Sequence, residues 1–126
     1  MKRVKIDLEF IFRASPAIIY TFVTTPACLV RWYCDEVDIT NDIYSFYWSG
    51  SSEIAYLVDD IEEERVRLKW EEADDENEYL EFRMYKSDIT NETILEVTDF
   101  CDAGDEQETK DVWANLILEL KKECGG

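Results

Sequence analysis

The sequence predicts a single α+β domain, formed by residues 1–126, in which a curved antiparallel sheet of about six strands packs its concave face against one long C-terminal helix. Three observations predict this fold. Several segments alternate polar and apolar residues with a period of two, as strands with one buried face do. Two short helical patterns follow the first of these segments. The last part of the chain repeats apolar residues at helical spacing.

The first strand and the two short helices have clear local signals. Residues 4–12 predict the strand, because apolar side chains occupy one face and charged side chains most of the other. Ser15 and Pro16 predict a helix start, since serine is a common N-cap and proline fits the first helical turn. Pro26 interrupts this helix, because proline disfavours helical backbone in the preceding residue. A second short helix is expected from Pro26 onward.

The middle of the chain predicts an antiparallel meander, since strands follow one another through short turns. The strands are expected at residues 36–49, with a turn signal at 41–42, and at 51–63, 65–70, 80–85 and 93–101. The acidic run at residues 71–78 lacks periodicity and predicts an exposed turn.

The closing segment predicts a helix long enough to cross a small sheet. Asp105 followed by Glu108 resembles a capping box, with aspartate in the usual serine or threonine position. Lys121 and Lys122 suit the negative end of the helix dipole. The apolar stripe of this helix consists of Val112, Trp113, Leu116, Ile117, Leu120 and Cys124.

Charge excludes some classes of function. The chain has 13 Lys and Arg against 30 Asp and Glu, a formal net charge of −17. Such a surface repels phosphate backbones and anionic lipid headgroups, so we expect no nucleic-acid partner and no membrane-surface role. The simplest interpretation of the charge is solubility. The alternative is recognition of a protein partner with a basic surface.

Residue types limit the chemistry further. The chain has no histidine, which excludes histidine-dependent triads and histidine-containing metal sites. Cys28, Cys34, Cys101 and Cys124 form no close pair, so we expect buried structural thiols and no zinc site. No calcium-loop or phosphate-loop pattern occurs, and we predict no cofactor. We predict a reduced, cytoplasmic location without integral membrane association, because no signal peptide is seen at Met1 and the apolar runs are short.

Three segments carry a resemblance to a known family. They are residues 14–20 at the start of the first short helix, residues 65–70 with their final Trp70, and residues 112–121 with an early Trp113. Together with the element order, they resemble the helix-grip fold of the START-like, or SRPBCC, superfamily. The chain looks most similar to the heat-shock-protein ATPase activator-homologue group. It departs from that group at Val112, where glycine is frequent.

The resemblance covers essentially the whole chain and implies a cavity between sheet and helix. Members of this superfamily bind lipids, sterols, polyketides or other apolar molecules. Some of them are enzymes, and some act on chaperones. The expected partner is therefore a small apolar ligand, and a homodimer is left open.

Candidate ligand-binding residues share one face of each strand or of the closing helix. They are Trp48, Tyr56, Leu68, Trp70, Phe82, Met84, Val97, Asp99, Trp113, Leu116, Ile117 and Leu120. Large rings together with a flexible methionine can line an adaptable apolar pocket. The alternative for each residue is a plain packed core. In this fold Trp113 should point onto the sheet and face Trp70 and Phe82.

Asp99 is the most distinctive of these residues. Counting by two from Leu95 and Val97 places it on the cavity face. A carboxyl there would have a raised pKa and could act as an acid or a base. The alternative is that the strand ends or bulges at this point and leaves Asp99 exposed.

Three functions follow from these observations. The first is a non-enzymatic carrier or sensor of a small apolar ligand. The second is a protein-interaction module, such as a chaperone regulator, that uses the acidic surface. The third, which has the least support, is a cyclase or aromatase that uses Asp99 with a tyrosine such as Tyr56. No catalytic residue and no metal ligand are assigned.

Overall fold

The computed structural model describes residues 2–73 and 75–126, where seven strands form one curved, unclosed antiparallel sheet in the order β1-β7-β6-β5-β4-β3-β2. Asp74, part of the predicted turn at 71–78, lies outside the described residues, as does Met1. The elements are β1 (Arg3–Phe12), α1 (Pro16–Thr24), α2 (Pro26–Leu29), β2 (Glu36–Thr40), β3 (Ile43–Trp48), β4 (Ser51–Ile61), β5 (Arg65–Trp70), β6 (Leu80–Lys86), β7 (Thr93–Asp102) and α3 (Glu106–Cys124).

The predicted signals at the start of the chain are confirmed. The Ser15 hydroxyl accepts a hydrogen bond from the Ile18 N–H at 3.3 Å, and Pro16 begins α1. Helix α1 ends before Pro26, which begins α2. These two helices carry the chain from β1, at one edge of the sheet, to β2 at the opposite edge.

The sheet has seven strands where about six were predicted. The difference lies at Asn41 and Asp42, whose φ angles are 52° and 65°. Both residue types tolerate the left-handed region, and two such residues in succession make a tight hairpin turn that matches strand twist. The predicted strand at 36–49 is therefore two paired strands, β2 and β3.

The predicted capping box of α3 does not form. Asp105 occupies the N-cap position, but its side chain makes no capping hydrogen bond. Its carbonyl oxygen accepts hydrogen bonds from both the N–H and the hydroxyl of Thr109, which begin the helix. At the other end the helix closes on Gly125, whose φ of 90° is the left-handed conformation that glycine adopts without strain.

Helix α3 packs on one side of the concave face, against β1, β7 and α1. Its Trp113, Ile117 and Leu120 are buried in the core. Cys34 and Cys101 are also buried, whereas Cys28 and Cys124 are only partly so, and all four thiols are free. In the described part of the chain, no helix combines the length and the apolar character needed to cross a bilayer.

Candidate functional site

An open groove of ≈ 390 Å³ lies between the first half of α3 and the sheet. Its lining comes from the segment after α2, from β3, β4 and β7, and from the helix itself: Tyr33, Trp48, Ser51, Glu53, Asp99, Val112, Trp113 and Leu116. The volume falls within the range of small-molecule sites, which begins at about 300 Å³. The groove exists because α3 leans toward β1 and β7, so that the concave face above β3 and β4 stays open.

Three aromatic rings form the wall of the groove. The Tyr33 ring lies 6.0 Å from the Trp113 ring, nearly parallel to it, and 5.6 Å from the Trp48 ring, edge to face. The Trp48 indole N–H donates to the Tyr33 carbonyl oxygen at 2.8 Å. This bond fixes the loop after α2 onto the end of β3. The wall is therefore built by packing between rings and by one hydrogen bond, before any ligand is present.

Asp99 lies on the concave face of β7, as Leu95 and Val97 do, and it is partly buried. One carboxylate oxygen accepts a hydrogen bond from the Trp113 indole N–H at 2.9 Å, and the other accepts from the Phe100 N–H at 2.8 Å. Burial raises the pKa of Asp99, and these two donors offset part of that rise. The strand neither ends nor bulges at this position.

The Tyr33 phenol adds a hydrogen-bonding group to the same groove. Burial raises its pKa well above the usual range, and the negative charges of Asp99 and Glu53 raise it further. The phenol therefore remains protonated across physiological pH and can donate to a ligand. Tyr33 was not among the predicted site residues. Only the long-range packing of its loop on β3 brings it there, and no local sequence pattern shows that packing.

A second depression, of ≈ 320 Å³, adjoins the groove and shares Glu53 and Asp99 with it. Its other lining residues are Arg3, Trp70, Glu72, Ala73, Glu78, Tyr79 and Phe100. Arg3 donates to both carboxylate oxygens of Glu78, at 2.7 and 2.9 Å. This ion pair is part of the lining of the depression.

Apart from Tyr56, the predicted ligand-binding residues fall into three sets in the structure. Trp48, Asp99, Trp113 and Leu116 line the groove. Trp70 lines the adjoining depression and packs its ring 5.6 Å from that of Phe46. The residues at most 2% exposed belong to the packed core: Leu68, Phe82, Met84, Val97, Ile117 and Leu120. Of the two rings expected to face Trp113, that of Phe82 lies 5.8 Å from it.

The predicted orientation of Tyr56 is wrong. Its neighbour Ala55 is fully buried, whereas Tyr56 is 38% exposed and pairs with Ile43 and Lys69 on the convex face. Side chains alternate along a strand, so the buried alanine fixes which face Tyr56 takes. The Tyr56 hydroxyl donates to Glu71 at 2.8 Å. Asp99 and Tyr56 thus lie on opposite faces of the sheet and form no acid–base pair.

The fold and the groove together define a class of protein: a domain whose closing helix lies on a curved antiparallel sheet beside a ligand-sized groove. The sequence model of the START-like superfamily domain matches residues 1–126. The chain therefore belongs to the START-like superfamily. Among curated proteins, none matches the chain significantly.

Solved structures share this fold. The solution structure of BfR322 from Bacteroides fragilis is 28% identical, with a TM-score of 0.69, and the match covers 98% of this chain and 93% of that one. The Aha1 dimer from Colwellia psychrerythraea is 19% identical, with a TM-score of 0.80 and 96% of each chain covered. CalU16 from Micromonospora echinospora is 16% identical, with a TM-score of 0.72, over 92% of this chain and 71% of that one. The last two likenesses show the fold alone.

Proposed function

We propose that the groove binds a small, largely apolar ligand, and that the protein carries or senses this ligand without transforming it. The observation that supports the proposal is the ≈ 390 Å³ groove with its aromatic wall between α3 and the sheet. Concave sites with apolar walls and a few convergent polar groups are typical of small-molecule binding.

The lining can contact both the apolar part of such a ligand and its polar atom. Val112 and Leu116 extend the apolar wall along the helix, next to the rings already described. Asp99 and the Tyr33 hydroxyl supply an acceptor and a donor that can orient one polar atom of the ligand. The apolar part of the ligand would pack against this wall, and the hydrogen bonds of its polar atom would fix its orientation.

Binding is a better-supported proposal than turnover. Asp99 already accepts hydrogen bonds from Trp113 and Phe100, and the tyrosine predicted as its chemical partner lies on the other face of the sheet. A carboxylate held in this way acts readily as a fixed acceptor for a bound ligand.

Two tryptophan substitutions on one helix test the binding proposal. Leu116→Trp should fill the groove and weaken binding of Nile red, an uncharged dye, by at least about tenfold. Leu118→Trp is the matched control, because Leu118 is 53% exposed on the same helix and does not line the groove. We expect the control to bind the dye as the wild type does. Equal binding by both variants, or none by the wild type, would contradict the proposal.

A second candidate function is recognition of a protein with a basic surface. The convex face of β3 and β4 exposes four apolar side chains, those of Ile43, Tyr47, Ile54 and Tyr56, on a molecule of net charge −17. Exposed apolar patches with charged surroundings mark interaction surfaces. Pull-downs at low and at high salt test this second function. Ile54→Asp alters the exposed apolar patch, and Ile89→Asp, in an exposed turn outside the patch, is the control. A partner that is retained at both salt concentrations contradicts charge-led recognition.

A further inference from the structure

The groove between α3 and the sheet presents acidic side chains to a ligand. Glu53 and Asp99 belong to its lining, and neither lysine nor arginine is among the described residues there. The adjoining depression shares both carboxylates and adds Glu72 and Glu78. Arg3 also lies in that depression, but it is bonded to Glu78 through two nitrogens. A molecule in the groove therefore meets a negative electrostatic field.

Asp99 is positioned to accept a ligand donor. Each of its carboxylate oxygens has one donor within the protein, from Trp113 and from Phe100. An ionised carboxylate offers about four acceptor sites, so capacity remains for an N–H of a ligand. Its partial burial reduces solvent screening of that contact, compared with a carboxylate at the exposed rim.

The aromatic wall favours positive charge in the same place. The rings of Tyr33, Trp48 and Trp113 line the groove beside Asp99. The faces of tryptophan and tyrosine attract cations through the ring quadrupole. A wall of rings next to a carboxylate is therefore complementary to an ammonium group on an apolar body. A fatty-acid carboxylate or a phosphate ester would be repelled by Asp99 and Glu53.

We propose that the groove selects small apolar amines in their ammonium form, with Asp99 as the counter-charge and the partly exposed rings of Tyr33 and Trp48 beside the apolar body. This inference rests on the proposed function, because it assumes that the groove binds a small ligand. It specifies the ligand class as an organic cation, such as an arylalkylamine. The volume of ≈ 390 Å³ accommodates a molecule of that size.

Three ligands with the same phenyl ring and four methylenes test the selectivity: 4-phenylbutylamine, 4-phenylbutanol and 5-phenylpentanoate. Calorimetry at neutral pH and fixed ionic strength should show the amine binding at least about tenfold more tightly than the alcohol, with the carboxylate weakest, because charge-assisted hydrogen bonds are the stronger ones. Equal affinity for amine and alcohol, or tighter binding of the carboxylate, overturns the selectivity but leaves the binding function intact. If none of the three binds while Nile red still occupies the groove, only the ligand class is wrong.

A pair of matched variants locates the effect. Asp99→Asn should remove the roughly tenfold advantage of the amine and leave the affinity for the alcohol unchanged. Asp88→Asn makes the same change in the exposed turn between β6 and β7, so it should preserve the advantage. This control separates local pairing from the general attraction of a chain of charge −17 for any cation. An advantage that survives Asp99→Asn overturns the proposal.

Glu53→Gln provides a second variant in case Asp99→Asn does not fold. Glu53 is exposed, so its substitution places little strain on the fold. We expect the amine to bind about threefold more weakly to this variant, and the alcohol to bind unchanged, since one of the two carboxylates has lost its charge. An unaltered amine affinity in folded Glu53→Gln counts against the proposal.

Discussion

The indole N–H of Trp113 donates a hydrogen bond to a carboxylate oxygen of Asp99 at 2.9 Å, and this bond ties α3 to β7. The ring itself is buried, 5.8 Å from that of Phe82. Trp113 thus supports the core with one part of its side chain and positions a groove carboxylate with another. Stability and ligand binding are therefore coupled at this residue.

Two substitutions at Trp113 separate these contributions. Trp113→Phe keeps a ring but removes the donor, and it should lower the free energy of unfolding by about 2 kcal/mol, since Asp99 loses a charge-assisted bond. Trp113→Ala also empties packed core and should cost about 3–5 kcal/mol. Urea unfolding at neutral pH measures both values. A negligible change in both variants would mean that the ring contributes nothing to packing.

Asp99 makes stability depend on pH in a specific direction. Its pKa is raised in the folded protein, chiefly by burial, with Glu78 raising it and Trp113 and Arg3 lowering it. The folded state therefore holds this proton more strongly than the unfolded chain, whose aspartates titrate at about pH 3.9. It follows that the contribution of Asp99 to the free energy of unfolding falls as pH rises from that value through the folded pKa.

Asp99→Asn removes this titration. The stability of the variant relative to the wild type should increase as pH rises through the same window, and it should level off above the folded pKa. Urea midpoints of both proteins across the acidic range measure the difference, with Asp88→Asn as the control for an exposed aspartate. A difference that stays constant with pH would show that the environment of Asp99 leaves its protonation unaltered on folding.

Local signals predicted most of the fold. The alternation along β1, the Ser15 cap and the apolar stripe of α3 depend on neighbouring residues, and these elements occur where they were expected. Asn41 and Asp42 gave a turn signal, yet residue type alone did not establish that both adopt positive φ. The capping box predicted at Asp105 and Glu108 did not form, since the Asp105 side chain makes no capping hydrogen bond.

Long-range packing determined the part of the site that the sequence did not predict. Tyr33 reaches the groove because its loop folds over β3, so only the assembled sheet brings it near Asp99. In β4 the buried residue is Ala55, whose small side chain gives little hydrophobic signal. The larger Tyr56 beside it was therefore assigned to the buried face, which is wrong. Except at Tyr56, periodicity predicted which side chains lie inward, but it did not distinguish packed core from groove wall.

Two leucines one turn apart on α3 distinguish core from groove. Leu120 is fully buried, whereas Leu116 is only partly buried and lines the groove. Leu120→Ala should therefore lower the free energy of unfolding by about 3–5 kcal/mol, because it leaves a cavity, and Leu116→Ala by about 1 kcal/mol. Chemical denaturation measures both. Similar losses in the two variants would mean that the wall of the groove is packed as tightly as the core.

Tyr33 and Tyr56 provide a matched test of which face of the sheet binds the ligand. Tyr33 lines the groove, and burial together with the charge of Asp99 raises the pKa of its phenol, which is protonated at neutral pH and can donate. Tyr33→Phe should weaken binding of 4-phenylbutanol by about three- to tenfold, the equivalent of one neutral hydrogen bond. Tyr56→Phe removes only an exposed bond to Glu71, so the affinity and the stability should both stay close to those of the wild type. Calorimetry on both variants gives the comparison. A loss of affinity in Tyr56→Phe that equals or exceeds the loss in Tyr33→Phe would place the site on the convex face and refute the groove.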